Sequence, residues 1–329
     1  NDAHCHFNGY AVNFMQYADL RGTKSTEEIY GILKKHHKKF GGDWVLGRSW
    51  DQNDWDNKEF PTKEGLDRIF PNTPVYLIRV DGHAAWCNSK AMEIAGITAK
   101  TKIAGGDVLL NSGEPTGVLI DNAESLVVKH LPEVSIEQQK KGLLEAQKNC
   151  FAAGLTSVTD CGVEKNTVVL MDEMQKTGVL KMRINAILNP SEENFEYFVK
   201  KGKYKTDYLS VNTIKVYADG ALASRGALML EEYTDDAGNS GLQIADKAYY
   251  DKICQLAYDN NYAMATHAIG DGANRLMLDT YAKVLKGKND RRWRIEHAQI
   301  IHPDDFDKFA KYSIVPSIQA THCTSDMPW

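Results

Sequence analysis

Few markers of a specialised chain are present in these 329 residues. The six cysteines (Cys5, Cys87, Cys150, Cys161, Cys254 and Cys323) include no C-x-x-C pair, which excludes a zinc knuckle and a dithiol redox motif. A chain of this size builds its core without disulfide staples, so reduced thiols are expected. No apolar run is long enough to span a bilayer and no signal peptide is visible, so a cytoplasmic protein without a membrane partner is expected. Positive charge is not in excess: 39 Lys and Arg stand against 44 Asp and Glu, a formal net charge of −5. The single basic cluster, Lys34 to Lys39, reads as the solvated end of a helix, so no nucleic-acid partner is expected. Gly270-Asp-Gly272 is not a dinucleotide fingerprint, and neither a G-x-S-x-G elbow nor an H-E-x-x-H helix occurs. The sequence also lacks an initial Met, opening on Asn-Asp-Ala-His and closing on Met327-Pro328-Trp329. This reads as a segment of a longer protein.

What is present is a rhythm. From Ser135 onward, capped amphipathic stretches alternate with short apolar runs. Strands are expected at 155–160, 182–188, 212–218, 262–267, 292–297 and 313–319. Helices are expected at 135–153, 166–177, 191–202, 247–259, 271–285 and 303–312. This alternation implies a parallel sheet covered by helices. With a strand at the N-terminus through His6 there are seven strands, one short of a (β/α)8 barrel. The fold expected is therefore α/β, a TIM-like barrel truncated before strand 8, made of residues 1–7 and 135–329. Residues 8–134 break the rhythm and hold four of the six tryptophans. They read as a large insertion between strands 1 and 2, over the C-terminal face where barrel active sites lie. Within it a helix to about Phe40 and a strand at 75–80 are expected.

Four histidines share one kind of position. His4 and His6 are two apart on a strand and so face one side. His267 and His297 each close a strand, so all four fall at C-terminal strand ends, where converging imidazoles suit zinc or a similar divalent metal. Alone, the His-x-His pair is as well explained by buried histidines bonded to backbone carbonyls. Lys215 sits mid-strand in Thr-Ile-Lys-Val-Tyr, where an isolated ammonium is costly to bury. A solvated edge position is one explanation. A Schiff-base amine is a second. A carbon dioxide-derived carbamate able to bridge two metals is a third, and the histidines favour it.

Asp2-Ala-His4-Cys-His6 resembles the strand-1 metal motif of the amidohydrolase superfamily. Gly47-Arg-Ser-Trp-Asp-Gln52, Arg79-Val-Asp-Gly-His-Ala-Ala-Trp86 with Asn88, Lys215-Val-Tyr-Ala-Asp-Gly-Ala221, Thr266-His-Ala-Ile-Gly-Asp271 and Ile295-Glu-His-Ala-Gln299 resemble the branch containing the N-substituted formamide deformylases. The resemblance runs along nearly the whole chain. It implies a metal-dependent hydrolase of non-peptide C–N bonds acting through metal-activated water on a small molecule. It further implies that His4 and His6 hold one metal, that a carboxylated Lys215 bridges, and that His267 and His297 hold a second where two ions bind. The family's last ligand and general base, an Asp ending strand 8, has no match here. Asp326 resembles the loop after strand 7 instead. The isolated segment is accordingly expected to bind metal imperfectly and to be inactive.

Other candidates are substrate contacts. His83 lies in the insertion motif and either faces substrate or is a loop histidine. Trp50, Trp86 and Asn88 are candidates for an apolar pocket wall, with the insertion's own core as the alternative for the tryptophans. His322 follows strand 7. Asp219 and Arg225 either orient substrate or pair with neighbours. Glu296 reads as a structural charge on the helix side of its strand. A Schiff-base barrel lyase using Lys215 and a non-catalytic metal-binding protein are the competing functions, and association of the chain with copies of itself is left open.

Overall fold

The computed structural model describes residues 1–80, 82, 84–103, 106–222 and 225–326. The chain divides into two compact units, residues 1–8 with 144–329, and residues 9–143.

The first unit contains seven parallel strands hydrogen-bonded in sequence order: β1 (Asp2–Cys5), β2 (Ser157–Val163), β3 (Arg183–Leu188), β4 (Leu209–Tyr217), β5 (Ala263–Ala268), β6 (Arg294–His297) and β7 (Val315–Ser317). The sheet's remaining strand, Tyr204–Lys205, is short and pairs antiparallel with β4. The sheet curls into a nearly closed barrel, because side chains of β6 reach β1: Arg294 Nη1 donates to Ala3 O at 3.3 Å and Glu296 meets His4. Strands covered on both faces need near-continuous apolar runs, and these have them. Val158, Cys161, Ile184, Ala186, Ile187, Leu188, Val211, Ile214, Val216, Met264 and Ala265 are all buried.

The intervening helices follow from capping and periodicity. Asp246 accepts from Tyr249 N at 2.7 Å, starting the helix Lys247–Asp259. Its buried Tyr250, Ile253, Cys254 and Ala257 recur at three- and four-residue spacing. That stripe and the corresponding one on Asp271–Leu285 pack against β5 and against each other.

The second unit is built on a six-stranded mixed sheet in the order Tyr17–Asp19, Val45–Trp50, Val75–Arg79, Ala84–Cys87, Glu114–Asp121, Gly106–Asn111. The first two pairings are parallel and the other three antiparallel. Alternate residues feed two cores. Val45, Val75, Leu77, Trp86 and Val118 join one cluster, and Leu46, Tyr76, Ala85, Cys87 and Leu119 the other. Sequence reasoning expects a single strand here. A sheet buried on both faces shows no polar–apolar alternation, which is why the others escape that test. The helix Thr26–Phe40 begins as expected, with Ser25 Oγ accepting from Glu28 N at 3.3 Å. No helix among the described residues is long and apolar enough to cross a membrane.

Candidate functional site

The C-terminal ends of the barrel strands gather four imidazoles. His4 projects from β1 and His6 follows its last residue, with ring centroids 5.6 Å apart. His4 lies 4.9 Å from His297, at the end of β6, and His297 lies 4.6 Å from His267 on β5. His322, in the short helix His322–Ser325 that follows β7, extends the chain of rings at 5.6 Å from His297. His297 and Ala298 have positive φ, 70° and 43°. That region is unfavourable for residues with a Cβ, and the turn ends the strand's side-chain alternation.

Lys215 is 1% exposed in the middle of β4, in register with Ala265 of β5. Burial lowers its amine below the usual lysine value, more than nearby Cys161 and Glu296 raise it. Its charge is close enough to contribute to the lowered affinities of His6, His267 and His297 for a proton. Desolvation is the main cause in each case, and takes His267 to about 4 and His297 to about 3. At neutral pH these rings are neutral and carry a free lone pair.

Each ring nitrogen's role is limited by its partner. His4 Nδ1 lies 2.5 Å from Glu296 Oε2 and His297 Nδ1 lies 2.6 Å from Gln319 Oε1. His267 Nε2 lies 3.1 Å from Gly220 O. A carbonyl or carboxylate oxygen only accepts, so these nitrogens carry protons, and in His267 and His297, which desolvation keeps neutral, the opposite nitrogens carry none. Among the described residues no group of three or more His, Cys, Asp or Glu is arranged to hold a metal ion as it stands. The donor set nevertheless fits a divalent cation chemically: neutral imidazoles within one ring's reach of each other, oriented from behind, beside a buried amine.

Glu296 corrects the expectation from sequence. It is not on the helix side of its strand. It is fully buried and reaches the imidazole of His4. Arg294 Nη2 stands 2.7 Å from its other oxygen, a charge contact without directed hydrogen-bond geometry. Burial alone would push this carboxyl up, but the bond from His4 and the charge of Arg294 hold it below the usual range. The sequence signal was two opposite charges two residues apart, hence on one face of an otherwise apolar strand. Tyr217, likewise unassigned from sequence, is two residues beyond Lys215 on β4. Its ring centroid is 5.7 Å from that of His267 and 5.0 Å from Lys215 Nζ.

The remaining candidates differ in their surroundings. Trp50 and Trp86 are fully buried in the core of the second unit, with Trp55 against both. Trp50 Nε1 donates to Leu77 O at 2.8 Å. Asn88 caps the helix Ser89–Ala95 and donates to Phe70 O and Thr73 O. The structure thus gives each of these three structural partners within the second unit. His83 lies outside the described residues. Asp219 is buried, accepts the backbone N–H groups of Leu228, Ile269 and Gly270, and lies 3.4 Å from His267 Nε2. Arg225 pairs with Asp235. His322 sits between Asp326 Oδ2 and Gln319 Oε1, 2.9 Å from each.

Comparison with known proteins gives the family. The amidohydrolase family model matches residues 1–329. The chain is 33% identical to Protein LONG AFTER FAR-RED 3 of Arabidopsis thaliana, covering 99% of this chain and 58% of that protein. It is 32% identical to putative amidohydrolase YtcJ of Bacillus subtilis, covering 100% and 63%. It is 25% identical to the N-substituted formamide deformylase of Arthrobacter pascens, covering 88% and 56%. The crystal structure of an uncharacterized metal-dependent hydrolase from Pyrococcus furiosus superposes with a TM-score of 0.79 at 28% identity, covering 99% of this chain and 65% of that one. The chain therefore spans roughly three fifths of the length of the curated relatives it matches.

Proposed function

The chain belongs to the amidohydrolase family, and from that premise we propose that it is the barrel portion of a metal-dependent hydrolase that cleaves a non-peptide C–N bond. The observation carrying this reading is the row of imidazoles 4.6–5.6 Å apart at the barrel strand ends with Lys215 buried beside them. His4, His6, Lys215, His267 and His297 would hold one or two divalent ions, and zinc is a cation suited to imidazole donors. Such an ion supplies Lewis acidity toward a carbonyl and acidifies water.

The protein's own contribution is to keep the rings neutral and oriented. Desolvation keeps protons off His6, His267 and His297. Glu296, Gln319 and the Gly220 carbonyl fix which nitrogen of their ring partners is available. Lys215, with its amine lowered by burial, is suited to capture carbon dioxide as a carbamate. Proton delivery to the leaving amine needs a base. The carboxylates that touch the clustered histidines, Glu296, Asp219 and Asp326, are engaged with His4, with backbone N–H groups, and with His322 and Gln299. In our reading the base is a strand-8 Asp that residues 1–329 do not contain. The substrate in this reading is an N-acyl or N-formyl amine.

Metal analysis tests the centre: more divalent metal is expected in the purified chain than in a His4→Ala, His6→Ala variant, and background metal in both would overturn it. Amine release from N-formyl and N-acyl amines by a longer natural chain carrying these residues tests the reaction. Appreciable turnover by residues 1–329 alone would remove the need for the strand-8 base. One observation favours a second reading, since a desolvated lysine amine also suits Schiff-base chemistry. Borohydride trapping of a carbonyl substrate on Lys215, insensitive to chelator, would support it over the first.

A further inference from the structure

Glu296 poses a physical problem that the ligand set does not answer. It is fully buried, and an ionised carboxylate so placed carries a desolvation penalty of several kcal/mol. Replacing such a group by an apolar side chain of similar size is often neutral or stabilising, so stability alone gives little reason for it to be there. Its two oxygens have different neighbours. Oε1 faces the guanidinium of Arg294 at 2.7 Å and has no directed hydrogen bond, while Oε2 meets His4 Nδ1 at 2.5 Å. Arg294 is itself anchored across the barrel on the carbonyl of Ala3, the residue before His4. The backbone of β1 and the imidazole it carries are thus held from one side by two neighbouring residues of β6.

We propose that Glu296, steadied by Arg294, is a positioning residue that locks His4 in its Nδ1-protonated tautomer and presents Nε2 to the histidine cluster. Unconstrained neutral imidazoles divide between two tautomers and rotate about their side-chain bonds. A ring held 4.9 Å from His297 by a carboxylate has neither freedom. The orientation is built from protein atoms alone and so exists before any ligand arrives. Outer partners of metal-binding histidines commonly change metal affinity by about 10- to 100-fold. That consequence rests on the metal reading above. The tautomer lock itself does not.

The test uses the 329-residue chain in two measurements. Long-range 15N–1H spectra of the His4 ring, taken without metal, read the tautomer. Zinc titration reads affinity. In wild type the Nδ1–H form is expected. In Glu296→Ala the ring should redistribute toward Nε2–H and zinc affinity should fall about 10- to 100-fold. Glu296→Gln keeps an acceptor oxygen and should retain the wild-type tautomer with a smaller loss. An unchanged tautomer in Glu296→Ala, or a Gln variant as altered as the Ala variant, overturns the proposal. Should the Ala variant fail to fold, Glu296→Met takes its place, with similar volume and no acceptor. If wild type binds no zinc, the metal reading fails and the ring spectra still decide the positioning role.

Discussion

The carboxylate of Asp160 accepts the backbone N–H of Asn8 at 3.0 Å, which ties the middle of β2 to the turn leaving β1 just beyond His6. Asp160 is 1% exposed, and burial raises its pKa from 3.8 to about 6 despite the N–H groups of Asn8 and Phe7. A raised value means that the folded protein holds this proton more tightly than the unfolded chain. Its contribution to stability is therefore complete below about pH 4 and is lost as the pH rises through about 6. Asp160→Asn stays neutral throughout and should remove that slope. At pH 7.5 the variant should be more stable than wild type by on the order of 2 kcal/mol, with the difference vanishing near pH 4. Urea melts at pH 4, 5, 6 and 7.5 measure it. A difference that does not vary with pH would show that Asp160 is ionised and satisfied throughout.

Asp219 holds together the loop after β4 and the turn after β5. Its oxygens accept Leu228 N at 3.0 Å, Ile269 N at 3.0 Å and Gly270 N at 2.8 Å. Asp219→Ala leaves buried donors without partners and should cost about 3 kcal/mol or more. Amide exchange at Leu228, Ile269 and Gly270 should accelerate before exchange elsewhere in β5. Asp219→Asn, which keeps one acceptor oxygen, should fall between. Equal exchange in the Ala variant and wild type would show that the loop is held by other contacts.

Gly270 is fixed by the same close approach. A Cβ there would stand 1.9 Å from Leu228 O and 2.5 Å from its carbonyl carbon, both backbone atoms that cannot rotate away. Gly270→Ala must displace the 228 segment, and a loss of at least about 2 kcal/mol in a thermal melt is expected. A variant within about 0.5 kcal/mol of wild type would mean the segment is not packed so closely in solution.

Trp50 decides between pocket wall and core. It is fully buried, stacks 6.0 Å from Trp55, and donates to Leu77 O. Trp50→Ala should destabilise the protein by about 3–5 kcal/mol. Trp50→Phe, which keeps most of the volume but loses the donor, should cost clearly less. Full stability in the Ala variant with impaired substrate binding would restore the pocket-wall reading.

The barrel was largely legible because its central strands are apolar runs between capped helices, and capping residues such as Asp246 and Ser191 mark those boundaries locally. The histidines were legible for the same reason, since they end strands whose positions were already fixed. Strand alternation alone puts Glu296 on the face opposite His297. The positive φ of His297 breaks that alternation, and side-chain spacing does not encode it. Trp50 and Asn88 are ambiguous in sequence because tryptophan and asparagine serve cores, caps and pockets equally well. Only the partners, Leu77 O for one and the carbonyls of Phe70 and Thr73 for the other, tell these apart. The second unit's sheet was missed because its strands alternate between two apolar faces.

Lys215 offers the last and most direct test. An amine that is 1% exposed and lowered in pKa by desolvation supplies more neutral nucleophile at pH 7 than a surface lysine does. In carbamate formation the amine lone pair attacks the carbon of carbon dioxide and the nitrogen releases a proton, giving a carboxylate on the side chain. The buried cation is thereby replaced by an anion among neutral imidazoles, an arrangement that only bound metal would compensate. Metal and carbamate should therefore appear together. Wild type grown with metal and bicarbonate should carry more divalent metal than wild type prepared with bicarbonate excluded. Lys215→Ala should carry little in either medium. A mass increase of one carbon dioxide under native conditions, absent from Lys215→Ala, would locate the group. Without metal, Lys215→Met should be more stable than wild type by on the order of 1 kcal/mol, because it removes a buried amine without changing the volume greatly. Equal metal content in all samples would exclude the carbamate and leave Lys215 as a free amine.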